Sequence, residues 1–212
     1  MNDTRALRAK IIATAREMNA LRINRGKSGN VSARIDAGFL ITPSALPYDE
    51  TMPADIVAVD RDGNAAGRRA PSSEWRFHRD IYATRSEVQA IVHTHAPFAT
   101  TLACLDRGIP AFHYMIAVAG GSDIRCAAYA TFGTQALSDH AVRALDGRRA
   151  CLLSHHGMIA VGVSLPAALA LAVEVETLAE MYWRALAIGE PEVLDDAQMR
   201  AVLEQFEGYG RR

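Results

Sequence analysis

The sequence predicts an α/β protein folded as one domain, residues 1–212. Three observations carry this. Apolar residues recur every three or four positions near both ends of the chain. Short alternating or continuous apolar runs, bounded by turn residues, fill the stretch between. No linker, repeat or low-complexity segment divides them.

In order, Leu7, Ile11, Ala15, Met18 and Leu21 mark a first helix with one face on a core. Asn24-Arg25-Gly26-Lys27-Ser28-Gly29-Asn30 breaks it. Gly26-Lys27-Ser28 resembles the end of a P-loop, but Leu21 stands where that motif requires glycine, so a nucleotide P-loop is rejected. Gly29 and Asn30 still offer backbone N–H groups and an amide as an anion cradle. Val31–Ile35 and Phe39–Thr42 read as a hairpin around Asp36-Ala37-Gly38, and Ile56–Asp60 as a further strand. Ser72-Ser73 reads as an N-cap, with Glu74 in the first turn of a helix running to about Thr84 and buried through Phe77 and Ile81. His78, one turn on, is expected to pack or hydrogen-bond. Ala90–His95 is a strand, and Phe98–Leu105 a short helix. Tyr129-Ala130-Thr131-Phe132-Gly133-Thr134 caps a helix bearing Leu137 and Ala141, and Cys151–Leu153 and Met158–Val161 flank His155-His156-Gly157. Ser164-Leu165-Pro166 opens the longest helix, whose Glu174, Glu176 and Glu180 are expected to face solvent or a neighbouring subunit. Asp195-Asp196-Ala197-Gln198 reads as a capping box, and Phe206–Arg212 as a flexible tail by composition.

Half of the residues are hydrophobic, enough for a sizeable core, and 23 Lys+Arg balance 24 Asp+Glu without a basic stripe. Nucleic acid is therefore not the expected partner. The polar start is no signal peptide, and nothing approaches a membrane span, so no membrane partner is expected. Cys104, Cys126 and Cys151 are odd in number and widely spaced, which predicts reduced core residues in a cytoplasmic protein.

The chemistry concentrates in histidines. His93 and His95 lie two apart, on one face of a strand and about 6.6 Å apart along it, where they can share a cation. Glu74 and the His155-His156 pair can complete a His₃Glu set, most often a zinc site, though manganese and cobalt also suit those donors. Neighbouring residues of a strand face opposite ways, so only one of His155 and His156 reaches the metal, and the pattern does not say which. No G-x-G-x-x-G follows a strand, and no organic cofactor is expected.

Taken together, Ser28-Gly29-Asn30-Val31-Ser32, Leu40-Ile41-Thr42-Pro43, Pro71-Ser72-Ser73-Glu74-Trp75-Arg76-Phe77-His78, His93-Thr94-His95, Ile109–Ala117, Tyr129–Thr134 and His155-His156-Gly157 resemble the class II aldolase/adducin family, nearly end to end. The resemblance implies a three-layer αβα sandwich around a mixed, largely antiparallel sheet, and a cyclic homotetramer with active sites between subunits. It implies His93, His95 and His156 as metal ligands, with Glu74 a ligand at rest and the acid/base in turnover. Gly29, Asn30, Ser44, Ser72 and Ser73 match phosphate-binding positions. Tyr114 matches a tyrosine given by the adjacent subunit, and Phe132 and Tyr209 match residues at the aldehyde end. The implied reaction is reversible cleavage of a ketose 1-phosphate into dihydroxyacetone phosphate and an aldehyde. The substrate would resemble L-fuculose 1-phosphate, with 5-deoxyribulose or methylthioribulose 1-phosphate as the alternatives. A pentulose-5-phosphate 4-epimerase of the family is disfavoured because that branch has Asp in the place of Glu74. An adducin-like structural module is disfavoured because the ligand set is intact. Ser44-Ala45 departs from the Thr-Gly of the family pattern, which puts a methyl where a backbone can need glycine's freedom.

Overall fold

The computed structural model describes residues 2–208. Its first helix, α1 (Asn2–Ala20), buries Ile11, Ala15 and Met18 as their spacing predicts. β1 (Asn30–Ile35) and β2 (Gly38–Ile41) form the expected hairpin, which β3 (Val57–Asp60) and β4 (Ala65–Ala66) extend outward. Then come α2 (Trp75–Thr84), β5 (Ala90–Thr94) and α3 (Pro97–Ala103). The short strands β6 (Ile109–Pro110) and β7 (Asp123–Ile124) pair with each other around a 3₁₀ turn, Tyr114–Ala119. β8 (Cys126–Ala127), α4 (Gln135–Ala144), β9 (Ala150–Leu153), β10 (Gly157–Gly162), α5 (Leu165–Ile188) and α6 (Asp196–Gly208) complete the chain.

Eight strands make one sheet in the order β4-β3-β2-β1-β5-β10-β9-β8, antiparallel throughout except between β8 and β9. The period-two rule divides its side chains between two cores. Val92 of β5 and Met158 of β10 join α1, α3 and α5 on one face, whereas Ile91 and Ile159 join α2 and α4 on the other. The three layers follow. His93 points to the α2 face, two residues on from Ile91. On α2, Phe77 and Ile81 are wholly buried, each worth about 1.5–3 kcal/mol, enough to seat the helix that follows Glu74.

The caps behave largely as expected. Thr134 Oγ1 accepts from the N–H of Leu137, and Ser164 Oγ from that of Ala167. Asp195 and Gln198 bond each other's backbone N–H at 2.8 Å, a reciprocal capping box. Four expectations need correction. Glu74 occupies the N-cap position of α2 rather than its first turn, because Trp75 is the first residue with helical backbone, and its carboxylate caps nothing. Glu176 does not face solvent: it is buried and accepts the N–H groups of Phe98 and Ala99 at 2.8 and 2.9 Å, capping α3 from α5. Of the three free cysteines only Cys151 is in the core, Cys104 being exposed. The tail is helical as far as Gly208, since Phe206 packs against the core, and Tyr209 lies outside the described residues. No helix among the described residues is long and apolar enough to cross a membrane.

Candidate active site and metal centre

β5 and β10 lie side by side at the centre of the sheet, with Ile159 opposite His93 and Met158 opposite Thr94. His93 is the penultimate residue of β5, and His95 follows its end. The turn from β9 to β10 delivers the third ring. His155 there adopts a left-handed backbone, φ 53°, which separates the directions of the adjacent histidines. His156 turns inward, while the His155 ring stays half-exposed with its Nε2 3.8 Å from Asp106 Oδ2. Gly157 fixes how closely this turn approaches β5, since a Cβ there would lie 2.5 Å from the Thr94 carbonyl oxygen. The rings of His93, His95 and His156 form a near-equilateral triangle, with centroids 5.1, 4.9 and 5.0 Å apart and planes crossed by 72–74°.

Glu74 closes the triangle into a four-cornered cluster. Its Oε2 lies 3.0 Å from His93 Nε2 and its Oε1 3.0 Å from His156 Nε2, and the four donor atoms fall within 4.8 Å of one another. His93 Nδ1 lies 2.9 Å from the Met158 carbonyl oxygen, which only accepts, so Nδ1 carries the hydrogen and Nε2 presents a lone pair. Two acceptors, His93 Nε2 and Glu74 Oε2, therefore face each other with no hydrogen between them. His93 Nε2, His95 Nε2 and Glu74 Oε1 are all buried without a hydrogen-bond partner. Convergent lone pairs at this spacing fit a cation, because tetrahedral bonds of about 2.0–2.1 Å set donors about 3.3 Å apart. Burial works to raise the Glu74 carboxyl, but its contacts with the His93 and His156 rings outweigh burial and hold the group well below the usual carboxylate range. A metal cation in the same place acts in the same direction. Burial lowers His95 to about 4, with His93 and His156 adding to the effect and Glu74 opposing it, so its ring is neutral and free to ligate.

Glu74, His95 and His156 of the cluster line one wall of a pocket of about 330 Å³, with Gly29, Ser44, Ala45, Ser72 and Ser73 also in its lining. Gly29, φ 71°, admits no other residue, since a Cβ there would lie 2.5 Å from the His93 carbonyl oxygen. The buried Tyr48 hydroxyl, donor to the carbonyls of Ser28 and Gly29 at 3.0 and 2.9 Å, holds the same loop from behind. Asn30 lines the pocket, but its amide is not free for an anion. It is taken up by Glu74 and by His78, and His78 lies outside the ligand cluster. Ala45 has φ 58°, the left-handed conformation anticipated for that position. His155 lines the pocket too, as do Lys27 and Tyr129, neither of which motif reading singled out for the site.

The family profile described as Class II Aldolase and Adducin N-terminal domain matches residues 9–183. The chain belongs to the class II aldolase and adducin family. A 5-methylthioribulose-1-phosphate/5-deoxyribulose-1-phosphate aldolase of Rhodospirillum rubrum is 60% identical over 205 residues, which cover 97% of this chain and 93% of that protein. An L-fuculose phosphate aldolase of Escherichia coli is 50% identical over 207 residues, covering 97% and 96%. A solved L-fuculose 1-phosphate aldolase superposes with a TM-score of 0.91 at 41% identity, covering 94% of this chain and 95% of its own. The protein is thus a class II aldolase, a carbon–carbon lyase, and the four-cornered cluster is a group whose donors could hold a metal ion.

Within this one chain the remaining expected residues are scattered. Phe132 lines the pocket and is 65% exposed, its ring unburied by its own chain. Tyr114 is half-exposed and borders a separate groove against Val202 and Phe206 of α6, so this chain does not bring it to its own Glu74.

Proposed function

We propose that this class II aldolase is a zinc enzyme that reversibly cleaves a 5-deoxypentulose 1-phosphate, either 5-deoxyribulose or 5-methylthioribulose 1-phosphate, into dihydroxyacetone phosphate and a short aldehyde. The observation that carries the reading is the set of convergent lone pairs of Glu74, His93, His95 and His156, at the wall of a pocket that Gly29, Ser44, Ser72 and Ser73 also line. Three imidazoles and a carboxylate suit zinc, and manganese and cobalt share the preference. The 60% identity to the Rhodospirillum enzyme supports the substrate, as do Ala130 and Phe132 in the lining, which suit an apolar aldehyde end.

When bound, the cation supplies Lewis-acid stabilisation of the negative charge that builds on the ketose oxygens as C3–C4 breaks. The chain's own groups do the rest. The hydroxyls of Ser44, Ser72 and Ser73, with the Gly29–Asn30 backbone, hold the phosphate and so fix C3 beside the carboxylate. Glu74 gives C3 its proton in cleavage and removes it in synthesis. Tyr114 comes from a neighbouring subunit of a cyclic homotetramer and serves the C4 oxygen, and Tyr209 serves the aldehyde end. The exposure of the Tyr114 ring in the isolated chain supports that arrangement.

L-fuculose 1-phosphate is the second reading, supported by the 50% identical relative and the solved neighbour. A panel of ketose 1-phosphates, followed by dihydroxyacetone phosphate release, separates the two. The 5-deoxypentulose phosphates are expected to give the highest kcat/KM. A tenfold preference for L-fuculose 1-phosphate favours the second reading, and no release from any ketose by zinc-loaded protein refutes both. Glu74→Gln is expected to keep the metal and lose turnover by about 10²–10⁴-fold. A kcat equal to wild type removes Glu74 from the mechanism.

A further inference from the structure

Behind Glu74 runs a buried chain of hydrogen bonds that the reaction above does not use. Asn30 Nδ2 donates to Glu74 Oε2 at 3.0 Å. Asn30 Oδ1 lies 2.5 Å from His78 Nε2, His78 Nδ1 lies 2.7 Å from Ser32 Oγ, and Ser32 Oγ lies 2.8 Å from the Tyr82 hydroxyl. Asn30, Ser32, His78 and Tyr82 are all buried, so no solvent completes these bonds.

The direction of the chain follows from its end. A carboxylate only accepts, so the Asn30 amide must turn its nitrogen toward Glu74 and its oxygen toward His78. His78 must then carry its hydrogen on Nε2, and its bare Nδ1 accepts from Ser32, which accepts from Tyr82. Each donor points toward Glu74. Stacking on Phe77, with centroids 4.7 Å apart, holds the His78 ring in plane. The chain also divides the carboxylate. Oε2 is fixed by Asn30, while Oε1 has no hydrogen-bond partner.

We propose that His78, acting through Asn30, is a positioning residue that clamps Glu74 by Oε2 and leaves Oε1 to carry the proton exchanged at C3. In cleavage that proton passes from Oε1 to the carbanion carbon, and in synthesis it returns. This rests on Glu74 being the acid/base. The clamp gives the carboxylate a fixed pivot that does not depend on the cation.

The test compares His78→Leu, which removes the Nε2 donor, with His78→Gln, whose side-chain amide can restore one. Both are loaded with zinc to one ion per chain. The readouts are steady-state cleavage and the incorporation of solvent deuterium into dihydroxyacetone phosphate, a half-reaction needing only the C3 proton transfer. His78→Leu is expected to lose about 10–100-fold in kcat and in exchange, with KM changed less than about threefold, and His78→Gln to recover most of the loss. A kcat within twofold of wild type in His78→Leu, or equal losses in both variants, overturns the proposal. If His78→Leu does not fold, imidazole ¹⁵N spectra of the chelator-treated wild type decide. The His78 Nε2–H tautomer supports the chain as drawn, and Nδ1–H reverses it and overturns the clamp. Deuterium exchange that survives in Glu74→Gln would instead sink the acid/base reading itself.

Discussion

Replacing each of the two adjacent histidines in turn tests the metal centre most directly. His156 offers Nε2 3.0 Å from Glu74 Oε1 and completes the triangle of rings, whereas the His155 side chain is 52% exposed and makes only a 3.8 Å approach to Asp106. His156→Ala therefore removes one of four donors and His155→Ala none. The free energy of holding zinc in protein sites, about 10–16 kcal/mol for structural sites at neutral pH, comes to about 2.5–4 kcal/mol per donor if shared equally among four. At 1.4 kcal/mol per decade, His156→Ala raises the zinc Kd by about two to three orders of magnitude, and His155→Ala changes it less than about threefold. Competition against a chromophoric chelator at pH 7 measures both, and metal content after dialysis checks them independently. Equal losses in the two variants, or a His156→Ala Kd within tenfold of wild type, would refute the assignment of the turn.

Three further outcomes follow from the geometry. Ala45→Gly relieves a left-handed Ala, a cost of about 1–2 kcal/mol, against the greater freedom glycine brings to the unfolded chain. A net gain near 1 kcal/mol should raise Tm by about 2–4 °C in calorimetry, and a lower Tm would show that the methyl makes a needed contact. Glu176→Ala leaves the Phe98 and Ala99 N–H groups without their acceptor and should destabilise the fold by about 1–3 kcal/mol in urea titration, with α3 amides exchanging faster. An unchanged midpoint would mean that water takes over the cap. In chelator-treated protein, burial lowers His78 to about 3, helped by the neighbouring His93 and opposed by Glu74. The unfolded chain then binds a proton that the folded chain refuses, so stability falls as pH drops below about 6.5, by up to about 1.4 kcal/mol per unit, and His95 adds in the same direction. Stability that is flat from pH 6.5 to 4.5 in chelator would contradict this, and His78→Gln should flatten part of the slope.

The members of the His/Glu cluster were legible because they lie at places sequence rules describe: a strand end for His93 and His95, a helix start for Glu74. The sheet and its flanking helices were legible for the same reason, through periods of two and three to four. What local pattern left open was settled by long-range contacts. The choice between His155 and His156 turns on a left-handed residue that pattern rules do not assign to histidine. The Asn30 amide pointed to an anion only while its neighbours were unknown. His78, 48 positions away, and Glu74, 44 away, take both ends of it. Glu176 looked solvent-facing on a helix rich in acids, because the helix end it caps is 77 to 78 residues earlier. Lys27 entered the pocket lining through the fold of a loop whose motif had been read only to exclude a nucleotide.

These long-range constraints also show where the fold stores its strain. Among the described residues four non-glycine residues have positive φ, and two of them, Ala45 and His155, line the pocket. A third, Asp106, accepts a hydrogen bond from Ser154 and so borders the turn that carries His156. Conformations costing about 1–3 kcal/mol each persist only where surrounding structure over-determines them. Here β9 and β10 clamp both ends of the His155 turn, and Gly157 sits against the backbone of β5. The turn therefore cannot relax by sliding outward, and His156 is held at the triangle by the sheet itself. The three rings keep nearly equal spacing because the two strands that carry them are hydrogen-bonded to each other. The lone pairs converge because β5 and the turn into β10 hold their side chains together, an arrangement whose mutual repulsion a divalent ion would relieve.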